Sequence, residues 1–199
     1  MAEQTGRTVP PAVAEKLYSA TDLIAARGLE KTKIEDIAKS SGVPKATLYY
    51  YFKGKDDILA FLFRDSLDAL ARDVAAAADG PGRGRDRLAA VIQVQVAHTM
   101  HRPATAQALV GDLSRAIRLP ELASAVQEAF YEPIARVLHA GAADGSLRKL
   151  SDPESAAISV FGAIMMTAML HNVIGSEKAQ DQVADEVMQL IENGLAPSR

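Results

Sequence analysis

Between Lys31 and Lys55 the chain gathers side chains suited to contact with a polyanion. Lys45, Ala46, Thr47 and Tyr49 fall at the start of a short helical segment, on its outer surface. An ammonium, a methyl and two hydroxyls presented this way match what is needed to meet base edges in a major groove. Tyr50, Lys53 and Lys55 follow, a hydroxyl and two ammonium groups placed to hold phosphates.

Catalytic chemistry is harder to assemble. Of the four histidines, His98 and His101 lie one helical turn apart and could share a metal, but no Asp or Glu nearby completes a set. The residues three before the histidines are Gln95, His98, Arg136 and Ala168, so the Glu-x-x-His pattern of a di-iron bundle is absent. There is no zincin motif, no phosphate loop and no local Ser-His-Asp signature. No cysteine is present, which removes disulfides, thiolate metal sites and cysteine nucleophiles. The reading is a protein that is not an enzyme and needs no metal or cofactor.

These residues must be positioned by a chain of 199 residues, 48% hydrophobic and 24% charged, long enough to bury a sizeable core. Charge is unevenly spread. Residues 1–55 hold nine basic and six acidic side chains, and the rest hold 13 basic and 19 acidic. A basic module on an acidic body directs one end of the molecule toward phosphate. Met1–Pro11 is polar and carries no secretory signal, so a cytoplasmic protein is expected. Ser155–Ser176 is 22 residues without a formal charge, long enough to span a bilayer, yet it includes His171 and Asn172 and lacks a flanking basic cluster. A helix buried on most sides, with no membrane partner, is the expectation.

Period-2 alternation is absent, and helix punctuation recurs throughout, so the fold class is all-α with about nine helices. Val13, Leu17, Ala20 and Ile24 predict one helix over about Pro11–Arg27, stopped by Gly28. Two short helices follow, Ile34–Ser40 and one opening at Pro44, joined by a turn through Gly42. A long helix is expected over about Lys55–Ala78, ended by the loop Asp79–Gly84. Further helices are expected at about 86–101, 103–117, 120–142, 153–174 and 177–195. The two short helices make a helix-turn-helix, in which Ile37, Ala38, Val43 and Leu48 pack and the second helix enters a groove.

On these residues the chain resembles the tetracycline-repressor-like family of bacterial transcription regulators. The resemblance is carried by Ala25-Ala26-Arg27-Gly28, Ile37-Ala38, Gly42-Val43, Thr47-Leu48-Tyr49-Tyr50-Tyr51-Phe52, Lys55 and Asp57-Ile58-Leu59. It covers about Val13 to Leu62. It implies a homodimer that places two recognition helices in successive major grooves of a palindromic double-stranded DNA operator. It matches Lys45, Ala46, Thr47 and Tyr49 to base-reading or groove-facing positions, and Thr32, Lys33, Tyr50 and Lys55 to phosphate positions. Pro44 stands where the family often has a capping Ser, and Ala46 where Gly is frequent.

The same resemblance divides the chain into a DNA-binding domain, residues 1–54, and a helical effector-binding and dimerisation domain, residues 55–199. It implies that the last two helices pair with their copies, through Phe161, Met165, Ala168, Val183, Val187, Leu190 and Ile191. A small-molecule effector would lie among the middle helices, with Val91, Gln95, His98, Leu109, Leu113, Phe130 and Met166 as walls, and Gln95, His98 or Arg115 orienting a polar end. The expected function is a ligand-responsive repressor released from DNA by a small, largely apolar effector. The alternative is a helical ligand-binding or interaction dimer whose helix-turn-helix no longer reads DNA.

Overall fold

A computed structural model describes residues 8–111 and 120–195. Every regular element among them is helical: α1 (Pro11–Leu17), α2 (Ala20–Arg27), α3 (Ile34–Ser41), α4 (Lys45–Tyr51), α5 (Lys55–Ala78), α6 (Gly84–His101), α7 (Pro103–Gly111), α8 (Pro120–Val126), a π-helical turn (Gln127–Tyr131), α9 (Glu132–Asp144), α10 (Pro153–Val173) and α11 (Gln180–Leu195). The chain is all-α. Its contacts separate two compact units, Met1–Ser66 with Ala104–Ala123, and Leu67–Pro103 with Ser124–Arg199.

In the first unit the single helix expected over residues 11–27 is interrupted at Tyr18 and Ser19. The Ser19 hydroxyl explains the break. It lies within hydrogen-bond distance of the Lys16 carbonyl (2.9 Å) and the Ser40 carbonyl (3.1 Å), while the Ser40 hydroxyl donates to the Ser19 carbonyl. A serine that bonds backbone locally competes with the helical ladder, and here it also ties the α1–α2 junction to the end of α3. Leu17, Ile24, Ile37 and Leu48 are buried, one large aliphatic anchor on each short helix and worth about 1.5–3 kcal/mol apiece, and Leu29, Val43 and Phe52 are buried in the flanking turns. Ala38, expected to pack with Ile37, is only half-buried, as is Ile34. Gly42 takes φ +66°, the left-handed conformation that closes α3 and turns the chain into α4.

In the second unit α6 packs against α9, α10 and α11. The α6–α9 approach is possible because two glycines meet: a Cβ on Gly84 would lie 2.2 Å from the Gly141 Cα, and one on Gly141 would lie 2.5 Å from Leu147 Cδ1. Asp144 then accepts the Gly84 N–H at 2.7 Å, which lets α6 begin two residues earlier than the sequence pattern predicts.

The helix expected without interruption over residues 120–142 contains the π-helical turn, and Pro133 supplies the reason. Proline has no N–H to give to the carbonyl four residues back, Ala129, and its ring crowds that carbonyl. The turn widens, and the freed carbonyls need another donor. Taking α1 with α2, and α8 through α9, as continuous restores the expected count of nine helices among the described residues.

Asp152 accepts from the Ser155 N–H at 3.0 Å and caps α10, whose first residue is Pro153 as expected. By length and composition α10 could cross a membrane; a third of its most apolar window is buried inside the subunit.

Candidate nucleic-acid interface and ligand-binding half

Helix α4 is built as a platform. Leu48 is fully buried and fixes it to the unit, Thr47 is half-buried, and Lys45, Ala46, Tyr49 and Tyr50 are exposed, the two tyrosines at 53% each. Pro44 is the cap residue rather than the first helical residue. It supplies no side-chain bond, so α4 opens without the serine cap common in the family. Tyr50 stacks edge-on against Tyr51 (centroids 4.9 Å apart), and the buried Phe52 meets Phe61 at 5.5 Å, so the aromatic run packs on itself while Tyr49 and Tyr50 stay exposed.

Glu35, passed over in the sequence reading, forms an ion pair with Lys45. Their hydrogen bond holds the Glu35 carboxyl below its ordinary range and the Lys45 ammonium above its own. Lys45 Nζ also lies 5.6 Å from the centre of the Tyr49 ring. The signal was available: an acid on α3, ten residues before the one lysine of α4.

The residues matched to phosphates divide into two groups. Lys33 is exposed at the N-terminus of α3, where its N–H donates to Asp36 Oδ2 at 3.0 Å, and Tyr50 is exposed on α4. Thr32 and Lys55 are turned to internal work. Thr32 is 1% exposed and its hydroxyl donates to the Gly28 carbonyl at 2.8 Å. The Lys55 ammonium donates to the carbonyls of Leu29 and Glu30, both at 2.9 Å, securing the loop before α3 to the start of α5.

Among the expected effector walls, the second unit buries Val91 and Gln95 on α6 and Phe130 on the π-helical turn. Leu109 is buried but belongs to the first unit, Met166 is largely exposed on α10, and Leu113 and Arg115 lie outside the described residues. His98 is half-buried and lines, with Asp73, Val94, Ala97, His101 and Arg102, a surface cleft of about 340 Å³. Burial, and then the nearby Arg102 charge, lower its pKa. Among the described residues no three His, Asp or Glu side chains are grouped to hold a metal.

Gln95 has a distinct role that residue type alone did not disclose. Its Nε2 donates to the Ala129 carbonyl at 3.1 Å and the Phe130 carbonyl at 3.3 Å, the groups exposed by the π-helical turn. Pro133 in the sequence was the available clue.

Phe161, Met165, Ala168, Val183, Val187 and Ile191 are buried within the subunit, where they join its core, and of the seven expected dimer residues only Leu190 is exposed, at 70%. The same helices instead expose Ile158, Met166, Leu170 and Val173, with Ile174 just beyond α10. A helix apolar on nearly every side has no polar stripe to separate subunit core from contact surface.

A three-helix unit with a helix-turn-helix and an outward-facing basic, tyrosine-bearing second helix, followed by a helical body, defines a DNA-binding transcription regulator. Residues 17–61 match the family model described as bacterial regulatory proteins, tetR family. Over those residues the chain is similar to that family. It is similar over its length to the fatty acid metabolism regulator protein of Bacillus subtilis, 23% identical with 93% of this chain and 96% of that protein covered. It is likewise 25% identical to the HTH-type transcriptional repressor KstR2 of Mycolicibacterium smegmatis, covering 93% and 91%. The crystal structure of the regulator FadR from Bacillus subtilis in complex with stearoyl-CoA superposes with a TM-score of 0.76 at 21% identity, covering 92% of this chain and 97% of that one.

Proposed function

We propose that this chain is a ligand-responsive repressor that occupies a palindromic operator as a homodimer and leaves it when a small, largely apolar effector binds. The observation that carries the reading is α4: one buried anchor, Leu48, beneath Lys45, Ala46, Tyr49 and Tyr50, which face solvent. In this reading Lys45, Ala46, Thr47 and Tyr49 meet base edges while Lys33 and Tyr50 hold phosphates. Residues 1–54 serve DNA binding and 55–199 serve effector binding and dimerisation. The protein works in the bacterial cytoplasm and turns nothing over; the names of its relatives, all regulators, support this.

Dimerisation uses the apolar side chains that the subunit leaves uncovered on α10 and α11, namely Ile158, Met166, Leu170, Val173 and Leu190, together with Ile174. Effector class is supported by the similar FadR structure, which holds stearoyl-CoA, and by the buried aromatic and aliphatic side chains around Gln95. Release follows if the effector prefers a state in which the two recognition helices no longer match the roughly 34 Å groove repeat.

Binding to the DNA upstream of the protein's own gene, titrated against salt and unrelated competitor, tests the reading. Saturable binding that survives competitor is expected, and Tyr49→Ala should weaken it about 10- to 100-fold, in line with the loss of one base-reading side chain. Equal binding to all fragments, vanishing in modest salt, would show only the electrostatic term and overturn the reading in favour of a ligand-binding dimer.

A further inference from the structure

The π-helical turn gives Gln95 a fixed orientation. Pro133 has no N–H for Ala129, and the Gln95 amide takes that place by donating from Nε2 to both the Ala129 and Phe130 carbonyls. Reversing the amide would turn its oxygen toward two carbonyl oxygens, so Oε1 is held at the other end. Gln95 is wholly buried, and Oε1 has no hydrogen-bond partner among the described residues.

Donors close by in the hydrogen-bond network are already engaged. The Thr99 hydroxyl donates to the Gln95 carbonyl at 2.8 Å, and Asn172 Nδ2 donates to the Thr99 carbonyl at 3.2 Å. The adjoining wall is aromatic: Phe130 and Tyr131 lie on the π-helical turn, with ring centroids 4.7 and 5.0 Å from that of Phe161. Burial pushes the Tyr131 phenol above its ordinary pKa, as a low-dielectric surrounding requires. Single π-helical turns inside α-helices often mark functional sites, and a buried amide oxygen needs a donor that the described residues do not provide.

We propose that Gln95 Oε1 receives a hydrogen bond from the effector, so that the effector is an apolar body ending in an uncharged donor, a hydroxyl or an amide N–H. A carboxylate, ester or ether, which can only accept, is refused because it would set two acceptors against each other. This rests on the ligand-responsive reading above and narrows its effector to one chemical class.

Isothermal titration of the full-length protein with 1-decanol, its methyl ether 1-methoxydecane, and decanoate tests the assignment. The alcohol and ether share the same alkyl body and differ in the donor. The alcohol is expected to bind at least tenfold tighter than either other probe. In Gln95→Met the alcohol-to-ether ratio should fall to within twofold. The wild-type ratio is decisive by itself should the variant fold poorly. Equal affinities would overturn the proposal, and are the result expected if a resident water satisfies Oε1. Absence of binding by all three also overturns it. Competitor-resistant operator binding by the same preparation shows whether the DNA-binding reading stands; probe binding without donor preference leaves the ligand-responsive reading intact while removing this one.

Discussion

Helix α4 and helix α6 hold their chemistry in opposite ways. On α4 the side chains proposed to read DNA are mostly those the fold does not need: Leu48 holds the helix, and Lys45, Ala46, Tyr49 and Tyr50 face water. On α6, Val91, Gln95 and Thr99 are buried, and Gln95 is at once a packing residue and a donor to a broken helical turn. An exposed site is spelled by residues that folding leaves free to vary, so its pattern stands out. A buried site uses the same residue types that any core would use, and becomes visible only when an unpaired polar atom is found there.

The contrast should first show in stability, where the second unit tolerates least. At the α6–α9 crossing, a Cβ on Gly84 meets backbone atoms of Gly141 at 2.2 and 2.4 Å, and backbone cannot move aside as the tip of a side chain can. Gly84→Ala is expected to cost about 3 kcal/mol, read as a lower midpoint in urea unfolding. Ala46→Ser, on the exposed face of α4, should leave that midpoint within about 0.5 kcal/mol. A tolerated Gly84→Ala would mean that the two helices are not held at glycine contact.

What could be read from the sequence follows the same division. The bounds of α5 at Lys55 and Ala78, the short helices flanking Gly42, and the proline start of α10 were legible because caps, turns and breakers act locally. Three features were not. Ser19 breaks the first helix through a bond to Ser40, 21 residues away. Pro133 falls in the interior of the helix expected over residues 120–142, and its consequence appears only with Gln95 across from it. On α10, Phe161 and Leu170 are both apolar, yet one is buried and the other exposed, and no periodicity distinguishes them. Thr32 and Lys55 show that even within the legible unit a matched position can be spent on the fold.

Lys55 sharpens this last point. Its ammonium bonds the carbonyls of Leu29 and Glu30, so Lys55→Met should lower stability by about 1–2 kcal/mol, the scale of hydrogen bonds made by a charged donor. If Lys55 serves the fold alone, the slope of log affinity for operator against log salt stays at the wild-type value. If it also neutralises a phosphate, the slope falls by about 0.9. Lys33→Met, at an exposed position, supplies the contrast: stability unchanged and slope reduced.

The smallest expected effect concerns acid. The Ser146 hydroxyl, with the N–H groups of Gly84 and Ser146, holds the Asp144 carboxyl at about 2, below its ordinary 3.8. Because the folded value lies below the unfolded one, the carboxylate contributes stability that is fully present above about pH 4 and is lost as pH falls toward 2. The melting temperature of the wild type should therefore drop more steeply between pH 4 and pH 2 than that of Asp144→Asn, whose amide oxygen still accepts from Gly84 but does not titrate. Above pH 5 the two curves should run parallel, with the variant slightly lower because a neutral acceptor replaces a charged one. Parallel curves all the way to pH 2 would mean that the Asp144 cap is not what ties the start of α6 to the end of α9. The close approach at Gly84 and Gly141 would then rest on packing and on the bonds from Arg83 to the Asp144 carbonyl and from the Arg85 N–H to the Ser146 hydroxyl.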